Sequence, residues 1–352
     1  MKQLKVGVIG LGNIAKEHLR AYQNNPRVEI AALCNTNAAR LAAYAKEFHV
    51  AQTFTDLDEM LALPELDAVS ICAINSQHAP YALRAIAAGK HVLVEKPMAT
   101  TLAQAEQMRD AADAADVLLM VGFVCRFGED TEMLRDMVDA GVLGEIYYAK
   151  ASYLRRHGCP GGWFQNRALS GGGPLIDLGV HRIDQVRYLA GSPRPISVYG
   201  ATFSKLQNRP GLRDGISARV RAGSGSSDIF DVEDLASAMV RFDNGLVLQV
   251  EASFSLNLRE DQENIELFGT RAGARLNPFE VYTELGGHMV SATAAQAPVI
   301  TFARLFDREI DHFAACILDG APCRASAEDG VVVTQIVDAI YRSAECGHEI
   351  VL

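Results

Sequence analysis

The feature that most constrains the fold of this chain is a glycine-rich turn between a short apolar run and a helical pattern. Residues Gly10–Ala15 read G-x-G-x-x-A and directly follow the β-branched run Leu4–Ile9. In such a strand–turn–helix unit, the first glycine permits the tight turn, the second lets a pyrophosphate approach the backbone, and the small last residue keeps helix and strand close. The N–H groups of the helix N-terminus favour an anion. We therefore expect dinucleotide binding, with contacts at Gly10, Gly12, Asn13 and Ile14.

Strand-like and helix-like segments alternate through the first third of the sequence. Apolar runs lie at Val28–Leu33, Asp67–Ala73, His91–Val94 and Val117–Val121. Helical spacing fills much of the sequence between them, as at Ala38–Phe48, Tyr81–Ala88 and Thr101–Ala115. This alternation predicts βαβ units and a parallel sheet, and the nearly continuous apolar runs indicate that helices cover both of its faces.

The pattern changes after Val124. Ala236–Phe242 and Leu246–Phe254 flank Asp243-Asn244-Gly245, a hairpin signal because Asn-Gly tolerates the positive φ angles of a tight turn. Such hairpins predict an antiparallel or mixed sheet. At about 150 residues per domain, 352 residues suffice for two domains. We place them at residues 1–124 and 125–352, which makes the fold class α/β, with a doubly wound parallel sheet in the first domain.

Composition excludes several function classes. Lys and Arg total 33 against 43 Asp and Glu, a net charge of −10, so the chain has no overall basic footprint for nucleic acid or an anionic membrane. The longest apolar run, Val117–Val124, is too short to span a bilayer, and the N-terminus lacks a signal-peptide pattern. The seven scattered cysteines include no C-x-x-C pair. We expect a cytoplasmic protein with neither a disulfide framework nor a bound metal.

The end of the second apolar run bears on the choice of dinucleotide. An acidic residue there usually accepts hydrogen bonds from the adenine ribose, but this chain has Asn35. Asn35 can still bond a ribose without repelling a 2′-phosphate, and Thr36 and Arg40 could hold such a phosphate. NAD and NADP both stay open, with NAD slightly favoured. Alternatively, Asn35 caps the following helix.

Lys96 follows the strand-like run His91–Val94 in the sequence Glu95-Lys96-Pro97. Ligands of open α/β sheets bind at the carboxyl ends of strands, so Lys96 is a candidate for stabilising a developing alkoxide. The alternative is a solvated surface lysine, the common fate of this residue type.

Asp177 and His181 lie four residues apart in the helical pattern Leu175–Leu189 and therefore share a helix face. An imidazole can take a hydroxyl proton near neutral pH, and a carboxylate beside it can orient a substrate hydroxyl. No convincing third ligand makes the pair a metal site. The alternative is a polar pair that merely solvates the helix.

These features together resemble the glucose–fructose oxidoreductase / inositol dehydrogenase / rhizopine catabolism family, known as Gfo/Idh/MocA. The resemblance extends over nearly the whole chain. The matching segments are Gly10–Ala15, Ile74–His78, Ala88–Val92, Glu95–Pro97, Gly122–Phe127, Ser170–Gly173, Asp177–Asp184 and Asp231–Asp234.

The resemblance implies a Rossmann domain followed by an α/β domain with a large open, mostly antiparallel sheet, which often serves oligomerisation as a homodimer or homotetramer. It implies NAD(P)-dependent oxidation of a secondary hydroxyl of a sugar, glycoside or cyclitol, or reduction of the keto form. Lys96, Asp177 and His181 match the catalytic positions. Positions that match cofactor contacts are Ile74, Asn75, His78, Glu95, Lys96, Arg126, Trp163 and Arg167.

Two rival functions stay open, namely an NAD-dependent glycosidase and a non-catalytic NAD(P)-sensing regulator. The sequence departs from the family at Asn35 and at Val124, where many members have a polar residue. Several residues have structural alternatives: Trp163 as a packing residue, Cys159 as a thiol without a base beside it, and His18, His49 and His157 as surface or capping residues. The stretch Gly223–Ser227 is typical of a flexible surface loop.

Overall fold

A computed structural model describes residues 3–207, 209, 229–296 and 298–352, so the expected loop at Gly223–Ser227 lies outside the described residues. The chain divides into two compact units. The first comprises Met1–Phe127 and Ile300–Val331, and the second comprises Gly128–Val299 and Val332–Leu352. The first segment of this unit ends three residues beyond the boundary at residue 124 that the sequence suggests. The unit also includes residues 300–331, which the sequence places in the second domain.

The first unit contains a six-stranded parallel sheet with strand order β3-β2-β1-β4-β5-β6, the doubly wound order of dinucleotide-binding domains. The strands are β1 Leu4–Ile9, β2 Val28–Cys34, β3 Gln52–Phe54, β4 Ala68–Ile71, β5 His91–Glu95 and β6 Leu119–Gly122. The helices between them are α1 Asn13–Asn24, α2 Ala38–Phe48, α3 Leu57–Leu61, α4 His78–Ala87 and α5 Leu102–Ala115. The predicted parallel sheet is confirmed.

The second unit contains a nine-stranded, mostly antiparallel sheet, and among its described strands β7 and β10 are the one parallel pair. Its strands are β7 Ile146–Leu154, β8 Pro195–Phe203, β9 Leu235–Phe242, β10 Val247–Ser253, β11 Gln262–Gly269, β12 Ala272–Arg275, β13 Glu280–Leu285, β14 His288–Ala292 and β15 Ile350–Val351. The remaining α-helices of the described residues are α6 Glu129–Asp139, α7 Arg167–Ser170, α8 Val180–Leu189, α9 Phe302–Asp319 and α10 Ala327–Cys346. The predicted second sheet and the β9–β10 hairpin are confirmed, with Gly245 at φ +88° in the turn.

Residues after Ile300 complete the first unit. Helix α9 lies against α1, where the Arg20 guanidinium donates to the Ala303 carbonyl at 2.6 Å and the Asn25 amide donates to Asp311 at 2.7 Å. Farther on, the Val121 N–H at the edge strand β6 donates to the Ala325 carbonyl at 2.9 Å. The chain therefore returns to its first sheet after building most of the second unit.

Helix α9 also brings an unusual carboxyl group into the core of the first unit. Glu309 is fully buried, and neither of its carboxylate oxygens has a hydrogen-bond partner among the described residues. Burial raises the pKa of Glu309 well above its usual range, and the nearby charge of Glu95 raises it further. Both effects favour the protonated, uncharged form of Glu309 in the native chain.

None of the described helices combines the length and the apolar character that crossing a membrane requires.

A neutral Glu309 makes stability depend on pH in a specific direction. An acid whose pKa is raised by folding keeps its proton in the native chain and loses it in the unfolded chain, whose ordinary value is 4.5. Above that value the unfolding free energy falls as pH rises, by up to ~1.4 kcal/mol per pH unit, until native Glu309 ionises. The variant Glu309→Gln lacks this loss. We expect its stability relative to the parent to increase between mildly acidic and mildly alkaline pH in denaturant titrations.

The matched control is Glu106→Gln, which removes an exposed carboxylate on α5. Its stability difference from the parent should not vary with pH. A Glu309→Gln difference that is equally independent of pH would show that Glu309 is charged in the native protein.

Candidate active site

The two glycines of the G-x-G-x-x-A turn have different structural needs. Gly10 has φ +82°, and a Cβ there would lie 2.7 Å from the backbone of Ala73, so the chain itself requires glycine. Gly12 has φ −79°, and the nearest atom to a Cβ would be the Cys72 carbonyl oxygen at 3.9 Å. Nothing within the described chain thus demands glycine at position 12. The missing side chain leaves space for a group that approaches the backbone, as a pyrophosphate does.

The N-terminus of α1 fits such an anion. Helix α1 begins at Asn13 after Gly12, and no side chain caps it, whereas Asn37 and Thr101 cap α2 and α5. Uncapped first-turn N–H groups, including those of Asn13 and Ile14, suit a phosphate. The Tyr44 hydroxyl, which the sequence analysis missed, fixes the turn by donating to the Gly12 carbonyl at 2.8 Å.

Asn35 contacts the glycine turn instead of capping a helix. Its Oδ1 accepts from the Leu11 N–H at 3.4 Å, and its Nδ2 donates to the Asn37 carbonyl at 3.3 Å. Asn37 caps α2, so the alternative in which Asn35 caps that helix is wrong. Thr36 and Arg40 are exposed beside it. These side chains are uncharged or positive, and none would repel a 2′-phosphate.

The segments after β4 and β5 lie at the same edge of the sheet as the glycine turn, because the carboxyl ends of parallel strands coincide. Ile74 is half-buried and Asn75 is buried. The buried His78 ring lies between two carbonyls, with Nδ1 2.7 Å from the Pro97 oxygen and Nε2 3.1 Å from the Ala73 oxygen. Burial lowers the pKa of His78. The ring links the segments that follow the two strands.

His18 is a core residue, so the expectation of a surface or capping role was wrong. It is fully buried on α1, and its Nε2 lies 2.9 Å from Oε1 of Glu95. The other carboxylate oxygen of Glu95 accepts from the Lys96 backbone N–H at 3.2 Å. The Nδ1 of His18 contacts the Ser70 hydroxyl, which is also hydrogen-bonded to the Tyr22 hydroxyl at 2.5 Å. A buried polar network therefore supports the backbone at Lys96. His49, by contrast, caps α2 in the left-handed conformation.

Lys96 is the one partly exposed residue in the otherwise buried run Val92–Ala99, all of which the structure describes. It follows β5 directly, and the peptide bond to Pro97 is cis. Its position at the carboxyl end of a strand is the one that the sequence predicts for a ligand-contacting lysine.

Arg126 makes structural contacts within the first unit. It is buried, and its guanidinium lies 3.0 Å from a carboxylate oxygen of Asp329 and also donates to the Arg324 carbonyl. These bonds join the segment after β6 to residues 324–329. A cofactor contact by Arg126 stays a prediction.

In the second unit, Asp177 and His181 stand out by exposure. Every residue from Gly172 to Arg187 is buried except these two, which are partly exposed. The sequence predicts one regular helix here, but Leu175–Gly179 forms a π-helical turn before α8 begins at Val180. Single π turns inside helices often occur at functional sites.

Glu233 anchors the start of this helical segment, and the sequence analysis did not single it out. Its carboxylate accepts from the N–H groups of Gly173 and Leu175 at 3.0 and 3.2 Å and from the Tyr341 hydroxyl at 2.9 Å. Burial raises the pKa of Glu233. A Cβ at Gly173 would overlap the Glu233 carbonyl oxygen, so this close approach requires glycine. The motif Asp231–Asp234 was the sequence signal that could have identified Glu233. Within this motif, Glu233 holds the start of the helical segment, and Asp231 holds the segment at Arg167.

Asp231 holds the segment that carries Trp163 and Arg167. The Arg167 backbone N–H donates to the Asp231 carboxylate at 2.7 Å, and the Asp231 N–H donates to the Gln165 carbonyl at 3.1 Å. Trp163 stacks on Phe164 with ring centroids 3.8 Å apart. The exposed Arg167 lies with its guanidinium 5.0 Å from the centre of the Tyr341 ring.

Cys159 is not an activated nucleophile. Burial raises the pKa of its thiol to about 11, and the charge of Asp177 acts in the same direction. The thiol therefore stays protonated at neutral pH, in agreement with the expectation that it has no nucleophilic role.

Comparisons with known proteins agree with the two-unit architecture. Residues 4–123 match the family described as "Oxidoreductase family, NAD-binding Rossmann fold", and residues 131–275 match the "GFO/IDH/MocA C-terminal domain". A D-glucoside 3-dehydrogenase of Escherichia coli (strain K12) is 36% identical and is matched over 99% of this chain and 97% of that protein. A levoglucosan dehydrogenase of Pseudarthrobacter phenanthrenivorans is 28% identical, with 98% and 97% covered.

Solved structures support the same relationship. A levoglucosan dehydrogenase in complex with NADH and levoglucosan has a TM-score of 0.88 and 26% identity, with 99% of each chain covered. Three findings lead to one conclusion. They are the family matches, the relatives that match over nearly their whole length, and the space at Gly12 that fits a pyrophosphate. The chain is an oxidoreductase with an NAD-binding Rossmann domain and belongs to the Gfo/Idh/MocA family.

Proposed function

We propose that this enzyme oxidises a secondary hydroxyl of a pyranoside or related sugar with NAD or NADP, or reduces the matching ketone. In this proposal Lys96, Asp177 and His181 carry the chemistry. The observation that supports it most is the exposure of these three side chains within otherwise buried segments. The relatives named D-glucoside 3-dehydrogenase and levoglucosan dehydrogenase favour a pyranose-ring substrate over a cyclitol.

Each residue has a distinct role in the proposed reaction. Oxidation of a secondary alcohol removes a proton from oxygen and a hydride from carbon, and a bound nicotinamide supplies the hydride acceptor. A neutral His181 imidazole takes the hydroxyl proton. The Lys96 ammonium stabilises the negative charge that develops on that oxygen. Asp177, one helical turn before His181, orients a neighbouring hydroxyl.

The first test replaces the two proposed proton-transfer and charge-stabilising groups. His181→Ala and Lys96→Ala should each lower kcat with methyl glucosides or levoglucosan by roughly 10²-fold or more, because general acid–base catalysis contributes ~10²–10⁴-fold. NADH binding, followed by fluorescence, should persist in His181→Ala. The controls are His288→Ala and Lys46→Ala, which alter exposed residues of the same types. Near-normal turnover in both test variants would contradict the assignment.

The same assays separate the rival functions. A dehydrogenase accumulates NADH in proportion to the substrate consumed, whereas an NAD-dependent glycosidase releases a free sugar with no net change in the cofactor. A regulator that only senses the cofactor would bind it and turn over none of a panel of sugars, glycosides and cyclitols. Substitutions test the remaining predicted cofactor contacts by their effect on the KM for the cofactor. These contacts are Ile74, Asn75, His78, Glu95, Arg126, Trp163 and Arg167.

The second test concerns the choice between NAD and NADP. Asn35→Asp would place a carboxylate beside the site expected for a 2′-phosphate while keeping an acceptor for the Leu11 N–H. We expect the ratio of kcat/KM for NADP to that for NAD to fall roughly tenfold or more, because like charges in close contact repel strongly. Asn35→Ala, which removes the amide without adding charge, should weaken both cofactors to similar extents. An unchanged ratio in Asn35→Asp would show that position 35 does not face the ribose.

We propose in addition that the open face of the nine-stranded sheet meets a second copy of the chain. Tyr199 and Met239 are paired across β8 and β9 and are 54% and 48% exposed. On the same face, Lys150 lies 5.9 Å from the ring centres of both Tyr148 and Phe268. Exposed apolar and aromatic residues that are contiguous on one face are typical of an interface.

The third test changes this face. Tyr199→Asp combined with Met239→Asp should shift the mass in solution, measured by light scattering, towards a monomer, because two neighbouring like charges would be buried in the interface. The control is the pair Val142→Asp and Val299→Asp, which changes exposed apolar residues outside the strands of the sheet. If the parent chain is already a monomer at assay concentration, this part of the proposal is wrong.

A further inference from the structure

Three residues of types that bind metals come together in the first unit, apart from the residues that the proposed reaction uses. His312 and Cys316 lie one turn apart on α9, and Cys323 follows the end of that helix after Gly320. One ligand atom from each lies within 4.8 Å of the other two, and all three side chains are half-buried. The sequence predicts no metal site, because the spacing H-x3-C-x6-C contains no C-x-x-C pair.

The distances suit tetrahedral coordination. Zinc bonds sulfur at about 2.3 Å and imidazole nitrogen at about 2.0 Å, so neighbouring ligands of a tetrahedral site lie roughly 3.6–3.8 Å apart. The Cys316 Sγ and His312 Nε2 atoms are 3.4 Å apart. The thiols of Cys316 and Cys323 are hydrogen-bonded to each other. Only small movements would bring all three atoms around one ion.

His312 is in the form that binds metals. Its Nε2 accepts the Arg324 backbone N–H at 3.0 Å, and since an amide can only donate, the lone pair lies on Nε2 and the proton on Nδ1. Metal binding would replace this hydrogen bond. The ring also lies against Phe127, with centroids 5.4 Å apart, which fixes its plane.

We propose that His312, Cys316 and Cys323 bind one thiophilic divalent cation of the zinc type, with water as the fourth ligand. Binding deprotonates both thiols and releases two protons, with no change of oxidation state. The cation and two thiolates are neutral together, so the Arg324 guanidinium, 4.6 Å from the centre of the Phe127 ring, does not oppose the complex. Half-burial leaves a route for the ion and for the water.

The site would join two parts of the first unit. Cys323 directly precedes the segment whose Ala325 carbonyl accepts from Val121 and whose Ser326 bridges to Met120 on β6. His312 and Cys316 belong to α9, which covers α1. A bound ion would therefore hold α9 and the segment beside β6 together, and its binding energy would add to stability.

The test titrates the reduced, full-length chain with Co²⁺, whose visible spectrum reports tetrahedral thiolate ligation. We expect one equivalent to produce a sulfur-to-cobalt charge-transfer band, Zn²⁺ to remove that band, and Zn²⁺ to raise Tm. Cys316→Ser, Cys323→Ser and His312→Gln should each weaken Co²⁺ binding at least tenfold. Cys346→Ser, which changes an exposed thiol elsewhere, should bind like the parent.

Circular dichroism of each variant establishes that it is folded, and His312→Gln keeps the test meaningful if a cysteine variant is not. The proposal is overturned if the reduced parent binds no Co²⁺ at one equivalent, or if the folded His312→Gln binds it unchanged. It is also overturned if Cys316 and Cys323 form a disulfide with mild oxidant while the reduced pair takes up no metal, because the cluster would then be a redox pair.

Discussion

The candidate catalytic helix depends on one buried carboxylate. Glu233 accepts hydrogen bonds from Gly173, Leu175 and Tyr341 and so satisfies donors at the start of the helical segment that carries Asp177 and His181. Without that acceptor, N–H groups that are buried would have no partner, at a cost of about 1–3 kcal/mol each. The close contact explains why two glycines, 172 and 173, precede the helix: a side chain at either would overlap Tyr341 or Glu233. Glu233, in the segment before β9, thus holds the backbone at the start of the helical segment that carries two of the proposed catalytic residues.

In the first unit, a different network of buried hydrogen bonds supports the backbone at Lys96. Glu95 supports the Lys96 backbone and is bonded to His18, while His78 lies between the carbonyls of Ala73 and Pro97. These groups are buried, so their positions are set by the core and not by solvent. A lysine that follows such a network has a fixed starting point, and only its side chain needs to adapt to a ligand.

Local signals in the sequence predicted the parallel sheet, the β9–β10 hairpin and the glycine turn, because each depends on residues that are neighbours in the chain. Spacing alone also predicts that Asp177 and His181 share a face, although it could not reveal the π turn Leu175–Gly179, which contains Asp177. The misassigned residues are those with distant partners: His18 bonds a carboxylate 77 residues away, and Asn35 bonds the glycine turn 24 residues back. The ion pair of Arg126 with Asp329, 203 residues away, was equally beyond local signals, while the predicted cofactor contact of Arg126 stays a prediction.

Residues 300–331 belong to the first unit, so a division of the chain at a single boundary separates this unit from part of its own structure. Helix α9 covers α1, supplies Glu309 to the core and carries two of the three proposed metal ligands. A chain that ended at residue 299 would keep all six strands of the first sheet, yet α1 would lose its cover and β6 its partner segment. Since α1 begins at the glycine turn and Lys96 directly follows β5, the neighbour of β6, we expect the cost to appear in dinucleotide binding as well as in stability. The dinucleotide-binding domain of this enzyme is therefore a discontinuous structure, completed only after most of the second unit has been synthesised.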